Sequence, residues 1–136
     1  LAVYEKLENE VVTSEEELKK NVFDNGFAKV LIGEEDGNPV GFALYFYNFS
    51  TFVGKPGIYL EDLFVEPDRR GKGYGKKLLI ELAKIAETEN CGRFEWSVLD
   101  WNTPSIEFYK SVGAKPMDEW TVFRLDEQGI SELAKL

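Results

Sequence analysis

Apolar positions in this chain alternate between short strand-like runs and stretches with helical spacing. Phe27 to Gly33 (FAKVLIG), Val40 to Phe49 (VGFALYFYNF) and Ile58 to Val65 (IYLEDLFV) are bounded by Gly, Pro, Asn and Asp, so each reads as a strand. Glu35-Asp36-Gly37-Asn38-Pro39 has hairpin composition, and Ser50 to Gly57 reads as a loop. Together these predict an antiparallel meander. From Lys76 to Glu89, residues Leu78, Leu79, Leu82, Ile85 and Ala86 keep helical spacing and should face the sheet. Phe94 to Leu99 (FEWSVL) comes next as a strand, expected parallel to the third through a right-handed crossover.

The two ends read less regularly. Leu1 to Leu7 is a short helical piece. Ser14 then resembles an N-cap, with Glu15, Glu16 and Glu17 where negative charge suits the helix dipole. Leu18, Val22 and Phe23 give that helix an apolar stripe, and Asn25-Gly26 ends it. Asp100 to Pro104 is a loop leading into a helix capped by Thr103, with Pro104 in its first turn. That helix runs to about Val112, and Gly113 closes it. Ala114 to Met117 and Trp120 to Leu125 predict a terminal hairpin, and Asp126 to Leu136 a short closing helix. The expected fold class is therefore α/β (α+β): a mixed central sheet flanked by helices, in one domain over residues 1–136.

Composition narrows what the domain can do. With 136 residues, 43% of them hydrophobic, the chain can bury a sizeable core. No run reaches the roughly 18 to 20 apolar residues that span a bilayer, and no secretory signal pattern is present. Cys91 is the single cysteine, which rules out an internal disulfide and suits a reducing cytoplasm. In its setting, Asn90-Cys91-Gly92, it reads as a small half-buried residue rather than a nucleophile. Histidine is absent, which removes Ser-His and Cys-His arrangements and the usual zinc ligands. Acid-base work then falls to Asp, Glu, Tyr or water, and no metal is expected. A formal charge of −9 argues against nucleic acid as the main partner and would attract a small cation. A solvated acidic surface that aids solubility explains the same charge equally well.

Against that acidic background, Arg69, Arg70, Lys72, Lys76 and Lys77 cluster around Gly71, Gly73 and Gly75. A strand feeding a glycine-rich turn and then a helix aims backbone N–H groups and the positive helix end at one spot, which suits a phosphate. The plainer reading is a strand-to-helix loop that uses glycine only to turn. The dinucleotide fingerprint fails because Lys76 stands where its third glycine would fall. Walker A fails because Lys77 comes after Gly75-Lys76 where Ser or Thr is needed.

Arg70-x-x-Gly73-x-Gly75 after a strand ending in Val65 resembles the Gln/Arg-x-x-Gly-x-Gly/Ala acyl-CoA pyrophosphate loop of the GNAT N-acetyltransferase superfamily. The segment from Asn102 through Tyr109 to Gly113-Ala114 is similar to a second motif of that family, N-x-x-[SA]-x-x-[FL]-Y-x-x-x-G-[FA]. Tyr59 to Val65 and Asp100 to Lys110 resemble more narrowly its spermidine/spermine (diamine) and thialysine branch. Leu1-Ala2-x-Tyr4-Glu5 is similar to part of that branch's first helix. Nearly the whole chain is covered, but family members begin with a strand and the front of a helix before this point. An N-terminal piece is therefore expected to be missing, which would leave Phe27 to Gly33 as an open sheet edge.

The resemblance implies a GNAT fold, in which an antiparallel meander leads into a splayed parallel strand pair. It implies acetyl transfer from acetyl-CoA directly to a primary amine of a small cationic acceptor, a polyamine, a diamine or a lysine-like amino acid. Glu61 would act as base, directly or through water, and Tyr109 as the acid that protonates the departing thiolate. A strand bulge is needed if Glu61 and Asp62 are to line one site, since strand neighbours face opposite ways. Acetyl-CoA would meet Leu63, Phe64 and Val65 through their backbone. It would also meet Arg70, Gly71, Lys72, Gly73, Tyr74, Gly75 and Lys76 in the loop, and Asn102, Pro104 and Ser105. Glu61, Asp62, Trp101 and Glu119 would receive the acceptor, with Asp100 and Asp118 adding charge. Homodimers are the family's habit, and neither nucleic acid nor membrane is an expected partner. The alternatives are a non-catalytic acyl-CoA sensor and the same chemistry on a protein amine.

Overall fold

The computed structural model describes residues 4–136. The chain divides into two compact units, Leu1–Leu99 and Asp100–Leu136.

The first unit holds a four-stranded sheet in the order β1-β2-β3-β4. Strands β1 (Lys29–Glu35), β2 (Asn38–Ser50) and β3 (Lys55–Val65) form the expected antiparallel meander. Asp36 and Gly37 make the β1–β2 turn with φ of 52° and 82°, the left-handed pair a two-residue hairpin requires. Strand β1 starts two residues later than expected and β3 three earlier, so the loop between β2 and β3 is shorter than its composition indicated. Helix α2 (Tyr74–Thr88) joins β3 to β4 (Arg93–Trp96), which runs parallel to β3.

Helix α2 packs across the sheet and reaches all four strands. Leu78, Leu79, Leu82 and Ala86 are buried on its inner face, with Ile85 half-buried at the rim. They meet Val40, Ala43, Tyr45, Ile58 and Leu60 from the sheet. Ile58 and Leu82 are fully enclosed, and burying such a side chain stabilises the fold by about 1.5–3 kcal/mol.

Before the sheet, the helical expectation over residues 1–7 is not met where it can be traced. Residues 4–6 form a turn with Lys6 at φ 61°, and Leu1, Ala2 and Val3 lie outside the described residues. A 3-10 turn covers Glu8–Glu10. Helix α1 (Glu15–Lys19) starts as expected, with the Ser14 hydroxyl accepting from Glu17 N–H at 3.1 Å. It widens into a π turn over Lys20–Asp24 and ends at Gly26, φ 65°. Leu18 and Phe23 of the expected stripe stand exposed.

The second unit contains α3 (Thr103–Ser111) and α4 (Glu127–Leu133). Gly113, at φ 93°, closes α3: its N–H reaches Lys110 O and that of Ala114 reaches Tyr109 O, the paired bonds of a Schellman end. Asp126 caps α4 through Gly129 N–H at 2.8 Å. The hairpin expected from Ala114 to Leu125 does not form. Residues 114–126 contain no strand, and Trp120 and Phe123 are 71% and 93% exposed. Trp120 to Leu125 has strand composition, but a strand needs a hydrogen-bonding neighbour. In the supposed partner, Pro116 removes one donor.

Candidate functional site

Strand β3 changes its packing halfway along. Tyr45 faces Leu60 and Leu44 faces Asp62, so Glu61 is an extra residue inserted between two aligned pairs. This is a β-bulge, which bends its strand and re-aims the residues beyond it. Simple alternation from Leu60 would send Asp62 toward α2. Past the bulge, Leu63 and Val65 take that direction instead, within 4.0 Å of where a Cβ on Gly75 would stand. Asp62 and Phe64 share the opposite face with Tyr59. On that face the Phe64 ring lies 5.7 Å from Phe42, and Tyr59 stacks on Phe46 at 5.2 Å.

The parallel pairing with β4 stops at the same point. Its last aligned pair is Leu60 and Trp96, while β3 continues to Val65 along β2. Strand β4 therefore ends three residues short of the expected Leu99, because its neighbour bends away. The edge of β3 from Leu63 to Val65 is left unshared on that side, so its backbone groups can meet a ligand. The Tyr59 and Ser97 hydroxyls lie 2.6 Å apart where the strands part. Burial raises the Asp62 carboxyl above its ordinary pKa, while Glu61 is exposed.

Beyond Val65, a 3-10 turn over Pro67–Arg69 leads to Arg70 and the glycines. Gly71 and Gly73 have φ of 80° and 83°, which an L side chain rarely adopts. Helix α2 begins at Tyr74, two residues before the expected Lys76. Its N-cap is Gly73, and no side chain caps it. The leading N–H groups of α2 therefore face outward beside the turn, in an arrangement suited to an anion. Gly75 sits in the first turn of α2 with ordinary room around it, so the fold alone does not demand a glycine there.

The basic residues around this loop divide by task. Arg70 Nε donates to Val65 O at 2.9 Å, and its guanidinium lies 5.5 Å from the Phe64 ring centre. Arg69 pairs with Glu35 at 3.0 Å and with Asp68 at 3.3 Å. Lys77 lies over the Tyr74 ring at 5.6 Å. Lys72 and Lys76 make no ion pair among the described residues and remain available to an anion. Interaction with the Tyr74 hydroxyl, together with the Arg69 charge, holds the Glu35 carboxyl below its ordinary pKa, and the same interaction raises the Tyr74 phenol.

In the second unit, Asn102 caps α3. Its side-chain oxygen accepts from Ser105 N–H at 3.4 Å, and the residue is 8% exposed. Thr103, expected as the cap, is instead the first helical residue, with Pro104 next to it in the first turn. The Asn102 amide oxygen makes the bond that the Thr103 hydroxyl was expected to make. Tyr109 lies half-buried on α3, with its ring 5.7 Å from that of Phe108. Trp101 and Glu119 are exposed, as are Asp100 and Asp118.

Glu35 and the Tyr59–Ser97 contact were not anticipated from sequence. The bulge had a readable trace in the apolar positions 58, 60, 63 and 65, where the step of two becomes three. Glu35 had none, because its partners lie more than thirty positions away along the chain. Among the described residues there is no group of three or more His, Cys, Asp or Glu placed to hold a metal, and no helix long and apolar enough to cross a membrane.

Residues 2–114 match the model of the acetyltransferase (GNAT) family. The chain is 39% identical over 146 aligned positions to a thialysine N-epsilon-acetyltransferase of Sus scrofa, covering 98% of this chain and 85% of that protein. It is 43% identical over 96 positions to an L-ornithine acetyltransferase of Arabidopsis thaliana, covering 71% of this chain and 42% of that protein. Among solved structures, an integron cassette protein from the mobile metagenome of V. cholerae superposes with a TM-score of 0.82 at 33% identity, covering 98% of this chain and 86% of that one.

Proposed function

The chain belongs to the acetyltransferase (GNAT) family, and we propose that it moves acetyl directly from acetyl-CoA to a terminal primary amine of a small cation. The acceptor class is a lysine-like amino acid or a diamine or polyamine. The relatives named for thialysine and L-ornithine favour the amino-acid arm. One observation carries the reading: β3 parts from β4 at Leu60 and Trp96, bulges at Glu61, and runs straight into the glycine turn ahead of α2.

Acetyl-CoA is the family's acyl donor, and when bound it supplies an activated acetyl thioester. The loop fits its pyrophosphate. Gly71 and Gly73 hold left-handed backbone, and Gly75 presents no Cβ where a ligand would approach. Arg70, Gly71, Lys72, Gly73, Tyr74, Gly75 and Lys76 form that cradle. The unshared edge of β3 offers the N–H groups of Leu63 and Val65, with Phe64 between them paired to β2, to the pantetheine arm and to the thioester oxygen. Asn102, Pro104 and Ser105 complete the contacts with the arm.

An aliphatic amine with a pKa of about 10.4 arrives protonated and cannot attack until it loses that proton. Nearby carboxylates attract it but hold the proton more tightly. Glu61 is the proposed base, working through a water. Asp62, Trp101 and Glu119 receive the rest of the acceptor. Tyr109 is the proposed acid for the departing thiolate, since a phenol pKa near 10 suits that exchange. A homodimer in the cytoplasm completes the proposal, and the free thiol of Cys91 fits a reducing compartment.

The test is thiol release from acetyl-CoA over a panel of thialysine, lysine, ornithine, putrescine, spermidine, spermine and a lysine peptide. Turnover on one small cationic amine above the peptide is expected. Turnover on the peptide alone would move the acceptor to proteins. CoA binding without turnover on any of these amines would replace the enzyme reading with an acyl-CoA sensor.

A further inference from the structure

We propose that the Tyr59 and Ser97 hydroxyls, bonded across the fork where β3 and β4 part, determine acyl-chain specificity and hold this chain to acetyl. This rests on the acetyl-CoA reading given above.

The two strands run parallel as far as Leu60 and Trp96 and then separate. Registered neighbours in a sheet point to the same face, so Leu60 and Trp96 both point to the α2 side. There Leu60 is buried, and Phe94 meets the Trp96 ring edge-on at 4.9 Å. Tyr59 and Ser97 lie on the other face, and their hydroxyls approach to 2.6 Å. Ser97 is the first residue past β4, so this bond links the strands one step beyond the end of their ladder. Stacking on Phe46 at 5.2 Å fixes the direction of the Tyr59 ring. The fork is thus closed by Leu60 and Trp96 on one face and by a side-chain bond on the other.

That closure sits where the acyl end of a donor belongs. The glycine turn that suits the pyrophosphate lies beyond Val65, and the unshared edge of β3 runs back from it toward the fork. A thioester carried along that edge would meet the fork with its acyl end. The pantetheine arm and the pyrophosphate are the same in every acyl-CoA, so only groups at the fork can tell one acyl chain from another. Each methylene beyond acetyl needs a wall of the fork to give way. Leu60 belongs to the packed core, which resists displacement. The Tyr59–Ser97 bond is held by one contact at the protein surface and is the wall that a single oxygen deletion would open.

The experiment measures Kd by calorimetry for CoA, acetyl-CoA, propionyl-CoA and butyryl-CoA. It also measures kcat/KM for the three acyl donors with the panel amine that turns over fastest. The proteins are wild type, Tyr59→Phe, Ser97→Ala, Ser97→Thr and the Tyr59→Phe/Ser97→Ala double variant. Wild type should prefer acetyl-CoA to propionyl-CoA by about tenfold or more in kcat/KM, the range that one methylene commands in a closed pocket. It should also bind butyryl-CoA more weakly than acetyl-CoA. Tyr59→Phe and Ser97→Ala should each narrow both preferences by about fivefold. The Kd of CoA, which carries no acyl group, should stay within about twofold. The double variant should do no more than either single one, because both act through one contact. Ser97→Thr keeps the hydroxyl and should keep the wild-type preferences.

A bond that only ties the sheet together would lower Tm and leave the acyl preferences unchanged. Unchanged preferences in both single variants, additive effects in the double variant, or wild type that takes butyryl-CoA as readily as acetyl-CoA overturns the proposal. If one single variant does not fold, the other provides the comparison, and wild-type preferences in it overturn the proposal. If no amine turns over, the Kd ratios alone decide. Wild-type protein that binds none of the four ligands overturns the acyl-CoA reading, and this inference with it.

Discussion

Arg70 Nε donates to the carbonyl oxygen of Val65 at 2.9 Å, tying the start of the glycine turn to the last residue of β3. The loop motif accepts Gln or Arg at this position, and both side chains carry an N–H that can serve a carbonyl. Arg70→Ala should raise the acetyl-CoA KM about fivefold, the worth of roughly 1 kcal/mol of hydrogen bond, and Arg70→Gln should raise it less. Equal KM values for Ala and Gln in steady-state kinetics would remove the bond as the cause.

Gly73 and Gly75 should respond to alanine in opposite ways. Gly73 has φ 83°, so Gly73→Ala should cost about 1–2 kcal/mol of stability. Gly75 lies inside α2 with no crowding, so Gly75→Ala should gain about 0.5–1 kcal/mol from helix propensity while weakening CoA binding through its methyl group. Urea unfolding read beside calorimetric CoA titration separates the two effects. A Gly75→Ala protein with wild-type CoA affinity would argue against close approach of the ligand there.

Asp62 links stability to pH. Burial raises its folded pKa above the ordinary 3.8, so the native chain holds this proton more tightly than the unfolded chain. Stability from this group is therefore fully present below the ordinary value and is lost as pH rises through the raised one. Asp62→Asn should be more stable than wild type near neutral pH, and the difference should vanish in acid. Urea midpoints measured from pH 3 to 8 check this, and parallel curves would show that Asp62 does not cause the slope.

Asn102 caps α3 from a buried position. Asn102→Ala should destabilise by about 1 kcal/mol, and Asn102→Asp, which keeps the acceptor oxygen, by less. Thermal unfolding of the two variants decides this. Thr103→Ala serves as the control and should change little.

Tyr109→Phe removes the hydroxyl and keeps the ring that packs beside Phe108. If the phenol protonates the leaving thiolate, kcat should fall about a hundredfold or more with the CoA Kd unchanged. Unchanged turnover would remove Tyr109 as the acid.

Features set by near neighbours were legible in the residues. The Asp36-Gly37 turn, the Ser14 cap, the Gly113 helix end and the buried face of Leu78, Leu79 and Leu82 each depend on a few adjacent positions. The glycine turn was legible for the same reason. Legibility failed where a local preference required a distant partner. Trp120 to Leu125 has strand composition but no strand to join, and Ser97 to Leu99 loses its place when β3 bends away.

The sequence by itself determined the meander, the helix that covers it, the anion-suited turn and the family, because periodicity and backbone preference are written in consecutive residues. Tertiary structure alone decided that Asp62 turns away from α2, that Arg69 pairs with Glu35 and that Arg70 meets the Val65 carbonyl. Each of these outcomes is a choice among partners far apart in the chain. The same arginine can meet a phosphate, a carboxylate or a carbonyl, and only the folded positions of Glu35 and Val65 settle which contact forms.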